Sequence, residues 1–329
     1  MVQTLRLARF YAPTPGKVQG QGGDWRDESV SGCRLARDDT PRPGLKQCLV
    51  TVKGLHWGFM KIEAIGKSDK GLKRKINEDS FLVDTALDLY VAADGMGGHK
   101  AGEVASRMVV DTMSDYWRKV RGGNFPSFLS PINREISDNA KHLINSIVLC
   151  NMLIHEGQKK PQYHRMGSTV SALLLDKDVL WVANVGDSPV YLFDHGRLIQ
   201  VSEEHSVEAE QKSIGLIDAG ESTNPLLRNV LTRVLGLTER VNVFISPIRP
   251  EAGDLLLMCT DGLTNFVPGP SIKTILDDFS MSVERKVDVL IDEANRGGGG
   301  DNITVILLEV IKEGVWSKVK RKLKSRNAG

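Results

Sequence analysis

PVYLFDHGRLIQVS, residues 189–202, decides the fold. Two apolar runs, PVYLF and RLIQV, flank Asp194, His195 and Gly196, residue types that accept the backbone angles of a tight turn. The chain therefore doubles back here, and the runs pair antiparallel. Further strand-like runs, rich in Val, Ile, Leu and aromatics, are MKIEAIG (60–66), SFLVDT (80–85), LDLYVAAD (87–94) and STVSALLLD (168–176). They continue as VLWVANVGD (179–187), VNVFISPI (241–248), DLLLMCTD (254–261) and NITVILLEV (302–310). Helical periodicity marks 101–120, about 131–156, 271–278 and 282–295. Strands joined by hairpins, with helices set between blocks of strands, imply antiparallel sheets covered by helices rather than a doubly wound parallel sheet. The class is α+β.

Outside these runs the texture changes. Residues 1–59 are rich in Gly, Pro, Arg and Asp, hold no sustained period and read as a disordered extension. Strand alternation begins abruptly at Met60, which is the expected natural start of the chain. Residues 202–240 have mixed charge and short helical patches, as expected of a mobile insertion beside the core. Residues 312–329 form a basic tail with Val315, Trp316, Val319 and Leu323 near one helical face. A solvated terminus is the plainer reading of that tail, and contact with a partner or with acidic lipid is the other.

Composition excludes several classes. The 329 residues are 41% hydrophobic and 26% charged with a net charge of +2, so a nucleic-acid or membrane role would need a local patch, and no basic groove interleaved with aromatics is present. The four cysteines, Cys33, Cys48, Cys150 and Cys259, lie far apart, which suits a reducing compartment and no structural zinc. No run reaches the roughly 18 to 20 apolar residues of a spanning helix, and the start lacks the apolar core of a secretory signal. An Arg-bearing, acid-poor start leaves an organellar transit peptide as the alternative to a cytoplasmic location.

The chemistry lies in the acids beside strands. Asp94 follows LYVAA, Asp187 follows WVANVG, Asp261 follows LLLMCT, and Asp301 stands between GGGG and NITVILLEV. One Asp-Gly is ordinarily a turn. Four acids, each beside an apolar strand, would place carboxylates at one rim of a rigid core, where they repel unless cations neutralise them. Carboxylates with a backbone carbonyl and water suit Mg2+ or Mn2+, and the glycines after Asp94 let the backbone approach such an ion. Earlier, KRKINEDSFLVD offers Glu78 as a further ligand, with Arg74 as a fork for phosphate oxygens. Two such ions about 3.5 to 4 Å apart acidify a shared water, so the set implies metal-assisted hydrolysis of a phosphate ester without a covalent nucleophile.

Seven motifs in order, RKINEDSF, ADGMGGHKAGEVAS, MGSTVSALLL, VANVGDSPVYLF, LTRVLG, LLLMCTDGLTNFV and GGGGDNITVILL, resemble those of the PP2C (PPM) family of metal-dependent Ser/Thr protein phosphatases, the compact bacterial members in particular. The resemblance runs from Met60 to Val310. It implies a four-layer α-β-β-α sandwich, two antiparallel sheets flanked by helix pairs, with the phosphatase domain over 60–311 and the 202–240 insertion as its flap. It implies that Asp94 bridges two Mn2+ or Mg2+ ions and that Gly95 offers its carbonyl to one. By the same carry-over Asp261 and Asp301 ligate one ion, Glu78 holds the other, and Asp187 with Asp261 takes a third, weaker one. Arg74 matches the phosphate-binding arginine. The implied reaction is hydrolysis of phosphoserine and phosphothreonine in proteins by direct attack of a metal-bridging hydroxide, opposing a Ser/Thr kinase, with the enzyme a monomer.

Two positions depart from the family pattern. Met96 stands where eukaryotic relatives carry a histidine, leaving water or His99 as the proton donor, and Pro189 replaces the arginine of Gly-Asp-Ser-Arg. The competing functions are a pseudophosphatase that only binds, and a metal phosphoesterase for small molecules.

Overall fold

A computed structural model describes residues 60–97, 101–129, 131–132, 135–216 and 230–312; the expected N-terminal extension, His99 and the basic tail past 312 lie outside them. The elements are β1 (Met60–Asp69), β2 (Asp79–Asp84), β3 (Leu89–Met96), α1 (Ala101–Arg121), α2 (Asp138–Gly157), β4 (Gly167–Ser168) and β5 (Val170–Asp176). They continue with β6 (Val179–Val185), β7 (Val190–Asp194), β8 (Arg197–Gln200), α3 (Val207–Ser213), β9 (Phe244–Ile248) and β10 (Leu255–Cys259). Last come α4 (Asp261–Thr264), α5 (Gly269–Asp277), α6 (Val283–Arg296) and β11 (Ile303–Lys312). One sheet runs β1-β11-β10-β7-β8 and the other β2-β3-β5-β6-β9, with β4 also on β3. Every strand pairing is antiparallel.

The deciding hairpin forms as read. Asp194 pairs with Arg197 across a two-residue turn in which His195 and Gly196 hold φ of 47° and 71°. Both positive angles match the right-handed twist of the flanking strands. Pro247 lies in β9 at the edge of its sheet, where a missing N–H costs no ladder bond.

Strand parity builds four layers. On β3, Leu89, Val91 and Ala93 pack with Val109, Met113 and Trp117 of α1 and Leu143 and Ile147 of α2. On β10 and β11, Leu257, Val305 and Leu307 pack with Ile272 and Leu276 of α5 and Val287 and Leu290 of α6. The intervening residues Tyr90, Ala92, Leu256, Met258, Ile306 and Leu308 are also buried. They face the opposite sheet: a Cβ on Gly66 of β1 would lie 2.6 Å from the Phe81 ring of β2, so a side chain of one sheet rests on the backbone of the other there. Each fully buried Leu, Val or Ile contributes about 1.5–3 kcal/mol relative to exposure. Burial on both faces is why the strands read as continuous apolar runs although they are antiparallel.

Two boundaries differ from expectation. The helix read from about residue 131 begins at Asp138, because Ser137 caps it, its hydroxyl accepting from the Ala140 amide at 3.2 Å. The strand read as ending at Asp94 continues through Gly95 and Met96, because β4 supplies them with partners in Ser168 and Gly167. Among the described residues no helix is long and apolar enough to cross a membrane.

Candidate active site

The β1–β2 loop carries Arg74 and Glu78 to the end of the sandwich where β3, β6, β10 and β11 also deliver acids. Its shape is set by one buried side chain, Asn302. The Asn302 amide donates to the carbonyls of Lys70 and Ile76, each at 2.9 Å, and its oxygen accepts from the Glu78 amide at 2.8 Å. The amides of Leu72 and Lys73 donate to Gly299 O, which ties the loop to the segment preceding β11. Arg74 Nη2 donates to Asp301 Oδ2 at 2.8 Å.

Asp94 is held through its backbone. Its N–H donates to Thr169 Oγ1 at 3.0 Å, and its carbonyl accepts from the Thr169 amide at 2.8 Å and the Ser168 hydroxyl at 3.0 Å. A Cβ on Gly95 would stand 2.0 Å from Gly102 O and 2.6 Å from Glu78 O. Glycine is required there by the close approach of α1 and the Glu78 segment. The neighbouring turn is clamped too: Gly186, at φ 111°, donates to Nδ1 of buried His205 at 3.0 Å, and its carbonyl accepts from the His205 amide. Ser188, beside Asp187, shares a 2.8 Å hydroxyl bond with Thr169. The Thr232 amide donates to His205 O, so the base of the 202–240 insertion rests on the turn that carries Asp187. Within that insertion residues 217–229 lie outside the described residues.

A cleft of about 230 Å³ is lined by Arg74, Glu78, Asp94, Gly95, Asp187, Asp261 and Asp301, every site residue expected from the sequence. Met96 stands at its lip and Leu231, from the insertion, borders it. Pro189 lies outside this cleft, in a neighbouring pocket that shares Asp187 and Asp261. As the residue just before β7, it withdraws no N–H from a ladder.

Sequence reasoning passed over Asp79. It pairs in register with Asp94 and lies buried between the sheets, its Oδ2 accepting from Thr260 at 2.9 Å and Thr304 at 2.7 Å. The two threonines sit on β11 and beside β10, so this carboxylate links one sheet to the other. Its signal was the position directly after Glu78 at a strand start, which also fits a charged loop.

Five acids share the cleft with Arg74 as the one cationic lining residue among those described. Two like charges 4 Å apart repel by about 4 kcal/mol at an effective dielectric of 20, so the cluster resists full ionisation. Burial first, then neighbouring Asp79, Asp261, Asp187 and Asp301, push Asp94 well above the usual carboxylate range. Burial pushes Asp187 up to about 7, with Asp261 adding to it, and Asp79 up to about 7 against the pull of its two threonines. Asp261 is raised by burial and then by Asp301, against the hydrogen bond that Asn265 donates to its Oδ2. Glu78 is raised by burial, opposed by Arg74 and the first-turn amides of Gly102 and Glu103.

These residues fit divalent cations. Glu78 Oε1, Asp79 Oδ1 and Asp261 Oδ1 are buried oxygens without a hydrogen-bond partner, and the lining donors are carboxylates and a carbonyl, a set for hard ions. A stability consequence follows. Asp79 and Asp187 keep their protons from 3.8 up to about 7 in the folded chain, so between about pH 4 and 7 the folded state binds more protons than the unfolded one. Metal-free stability therefore falls as pH rises through that window and levels off above it. In EDTA the melting temperature should be lower at pH 8 than at pH 5.5. A fixed Mn2+ concentration, about a hundred times the Kd at pH 8, should raise it by about 5–10 °C at pH 8 and by less at pH 5.5, where protonated carboxylates weaken binding. Thermal scans of the four conditions check this; equal metal shifts at both pH values would contradict it.

Comparison with known proteins gives a consistent picture. A family model described as protein phosphatase 2C matches residues 72–293. The serine/threonine phosphatase Stp of Listeria welshimeri is 36% identical over 247 residues, covering 74% of this chain and 94% of that protein. The solved Streptococcus agalactiae serine/threonine phosphatase superposes with a TM-score of 0.67 at 30% identity, covering 76% of this chain and all (100%) of that one. The catalytic domain of PstP, solved in complex with two manganese ions, gives a TM-score of 0.62 at 29% identity over 77% of this chain and 99% of its own.

Proposed function

The chain belongs to the protein phosphatase 2C family, and from that premise we propose how its cleft removes phosphate from protein serine and threonine. The class of activity is that of its relatives: it is a serine/threonine protein phosphatase acting on phosphorylated proteins. One observation carries the site assignment. The acids that line one cleft include buried carboxylate oxygens with no protein partner.

In this reading Asp94, Asp261 and Asp301 hold one Mn2+ or Mg2+, while Glu78, Asp94 and the Gly95 carbonyl hold a second. Asp187 with Asp261 holds a third, weaker one. When bound, the ions supply Lewis acidity and a water nucleophilic at neutral pH. The protein's own groups bind and orient. Arg74, tied to Asp301 and half exposed, presents a planar fork to the phosphate oxygens and exchanges one bond to do so. Asn302 fixes the Arg74 loop, and Thr169 fixes the Asp94 backbone. The Thr169 hydroxyl is engaged with the Asp94 amide and Ser188, and no cysteine or serine lines the cleft among the described residues, which favours hydrolysis without a phosphoenzyme.

The proposed ligands and Arg74 line the cleft from one chain, which supports a monomeric enzyme with a catalytic unit over 60–311 and a flap at 202–240. Its substrates are the products of a Ser/Thr kinase, since phosphate esters on those side chains arise by that reaction. Hydrolysis of a phosphothreonine peptide should require Mn2+ or Mg2+, stop on addition of EDTA and resume on adding metal back, with a matched phosphotyrosine peptide cleaved at least about tenfold more slowly. Mn2+ binding without turnover would leave a pseudophosphatase instead. Equal rates on the two peptides would favour a general phosphoesterase.

A further inference from the structure

The cationic β1–β2 loop is larger than phosphate binding needs. Residues 70–75, KGLKRK, place Lys70, Lys73 and Lys75 around Arg74, and all four cations are exposed. Among the described residues none of the three lysines has a carboxylate partner, whereas Arg74 is held by Asp301. The loop is also fixed. Gly71 N donates to Asp69 Oδ1, Leu72 N and Lys73 N donate to Gly299 O, and Asn302 holds the carbonyl of Lys70. The loop backbone is held in place before any substrate arrives, so the ordering cost of binding falls on the lysine side chains alone. Leu72, 70% exposed, stands among the cations and adds apolar area to the same rim.

We propose that this rim docks the substrate chain and selects phosphorylated segments rich in Asp and Glu beside the phosphorylated residue. The inference rests on the phosphatase reading and adds a substrate class to it. Geometry sets the range. An extended peptide advances about 3.3 Å per residue, so side chains one to three positions from a phosphothreonine held by Arg74 come within about 10 Å of it, inside the reach of the neighbouring lysines. The pocket beyond Asp187 and Asp261 is acidic instead, with Glu204 and Glu208 facing Lys212 alone and Glu208 paired with it, so the preference for acidic flanks belongs to the β1–β2 side of the cleft.

The test compares phosphothreonine peptides on one scaffold, flanked by three aspartates, three asparagines or three lysines, with the full chain loaded with Mn2+. Exposed ion pairs being weak singly and additive in a patch, kcat/KM for the Asp-flanked peptide should exceed that for the Asn-flanked one by about five- to tenfold, mostly through KM. The Lys-flanked peptide should fall below both. The Asp/Asn ratio should collapse toward one in the triple variant Lys70→Gln, Lys73→Gln, Lys75→Gln. In the unaltered protein it should shrink as NaCl rises from about 50 to about 500 mM, where screening shortens from more than ~10 Å to less than ~5 Å. Equal rates on Asp- and Asn-flanked peptides, or a ratio that survives both the triple variant and salt, would overturn the proposal. Failure to hydrolyse any of the three peptides would instead sink the phosphatase reading, and this inference with it.

Discussion

Asp94→Asn lowers kcat for phosphothreonine hydrolysis by about three orders of magnitude or more, a loss of about 4 kcal/mol in transition-state stabilisation. Asparagine keeps the shape and volume of the side chain, and the backbone clamp from Ser168 and Thr169 is untouched, so under the proposed metal assignment the expected loss is that of charge between two cations. The same change should have the opposite sign on metal-free stability. Burial first, and then four neighbouring acids, hold the Asp94 carboxyl well above the usual range, and a neutral amide removes both costs. In EDTA at pH 8 the variant should therefore melt higher than the unaltered protein, while Mn2+ should stabilise it far less. Steady-state kinetics paired with thermal scans give the two signs. Activity within tenfold of the original would remove Asp94 from the centre of the site, and a lowered metal-free melting temperature would show that the side chain is structural rather than strained by its neighbours.

The second large effect is steric. A Cβ on Gly262 would lie 1.9 Å from the carbonyl oxygen of Asn302, a backbone atom that no rotamer change can withdraw. Asn302 in turn pins Lys70, Ile76 and Glu78, and it adjoins Asp301, while Gly262 adjoins Asp261. Gly262→Ala should cost about 3 kcal/mol or more in metal-free stability and weaken Mn2+ binding at least tenfold, because two acids and the loop move together. Gly269→Ala is the matched comparison: a Cβ there meets nothing within 4 Å, and the position opens α5. Its effect should stay within about 0.5 kcal/mol. Urea unfolding in EDTA and calorimetric Mn2+ titration measure both; parity between the two variants would refute the close-approach argument.

The acids were legible because each interrupts or adjoins an apolar run, and the fold because two residues with positive φ turn β7 into β8. What the sequence concealed is the layer that holds those acids. Asn302, Thr169, Thr260 and Thr304 act through hydrogen bonds to groups distant in the chain, and a polar residue in or beside an apolar strand carries no mark of where its partner lies. Asp79 was hidden by Glu78, since adjacent acids at a strand start look alike until alternation sends one to the cleft and the other between the sheets. The early end assigned to β3 has a similar origin. Asp94 is a poor strand former, and only the two-residue partner β4, itself too short to leave a pattern, keeps the ladder going.

Asp79, accepting from threonines of the opposite sheet, sits where the sandwich is sewn together, and the acids around it come from both halves. Under the proposed assignment a cation among those acids would be a rivet through two plates. Pulled apart at the β2 and β11 ends, the metal-loaded protein would then yield at a higher force than the metal-free one.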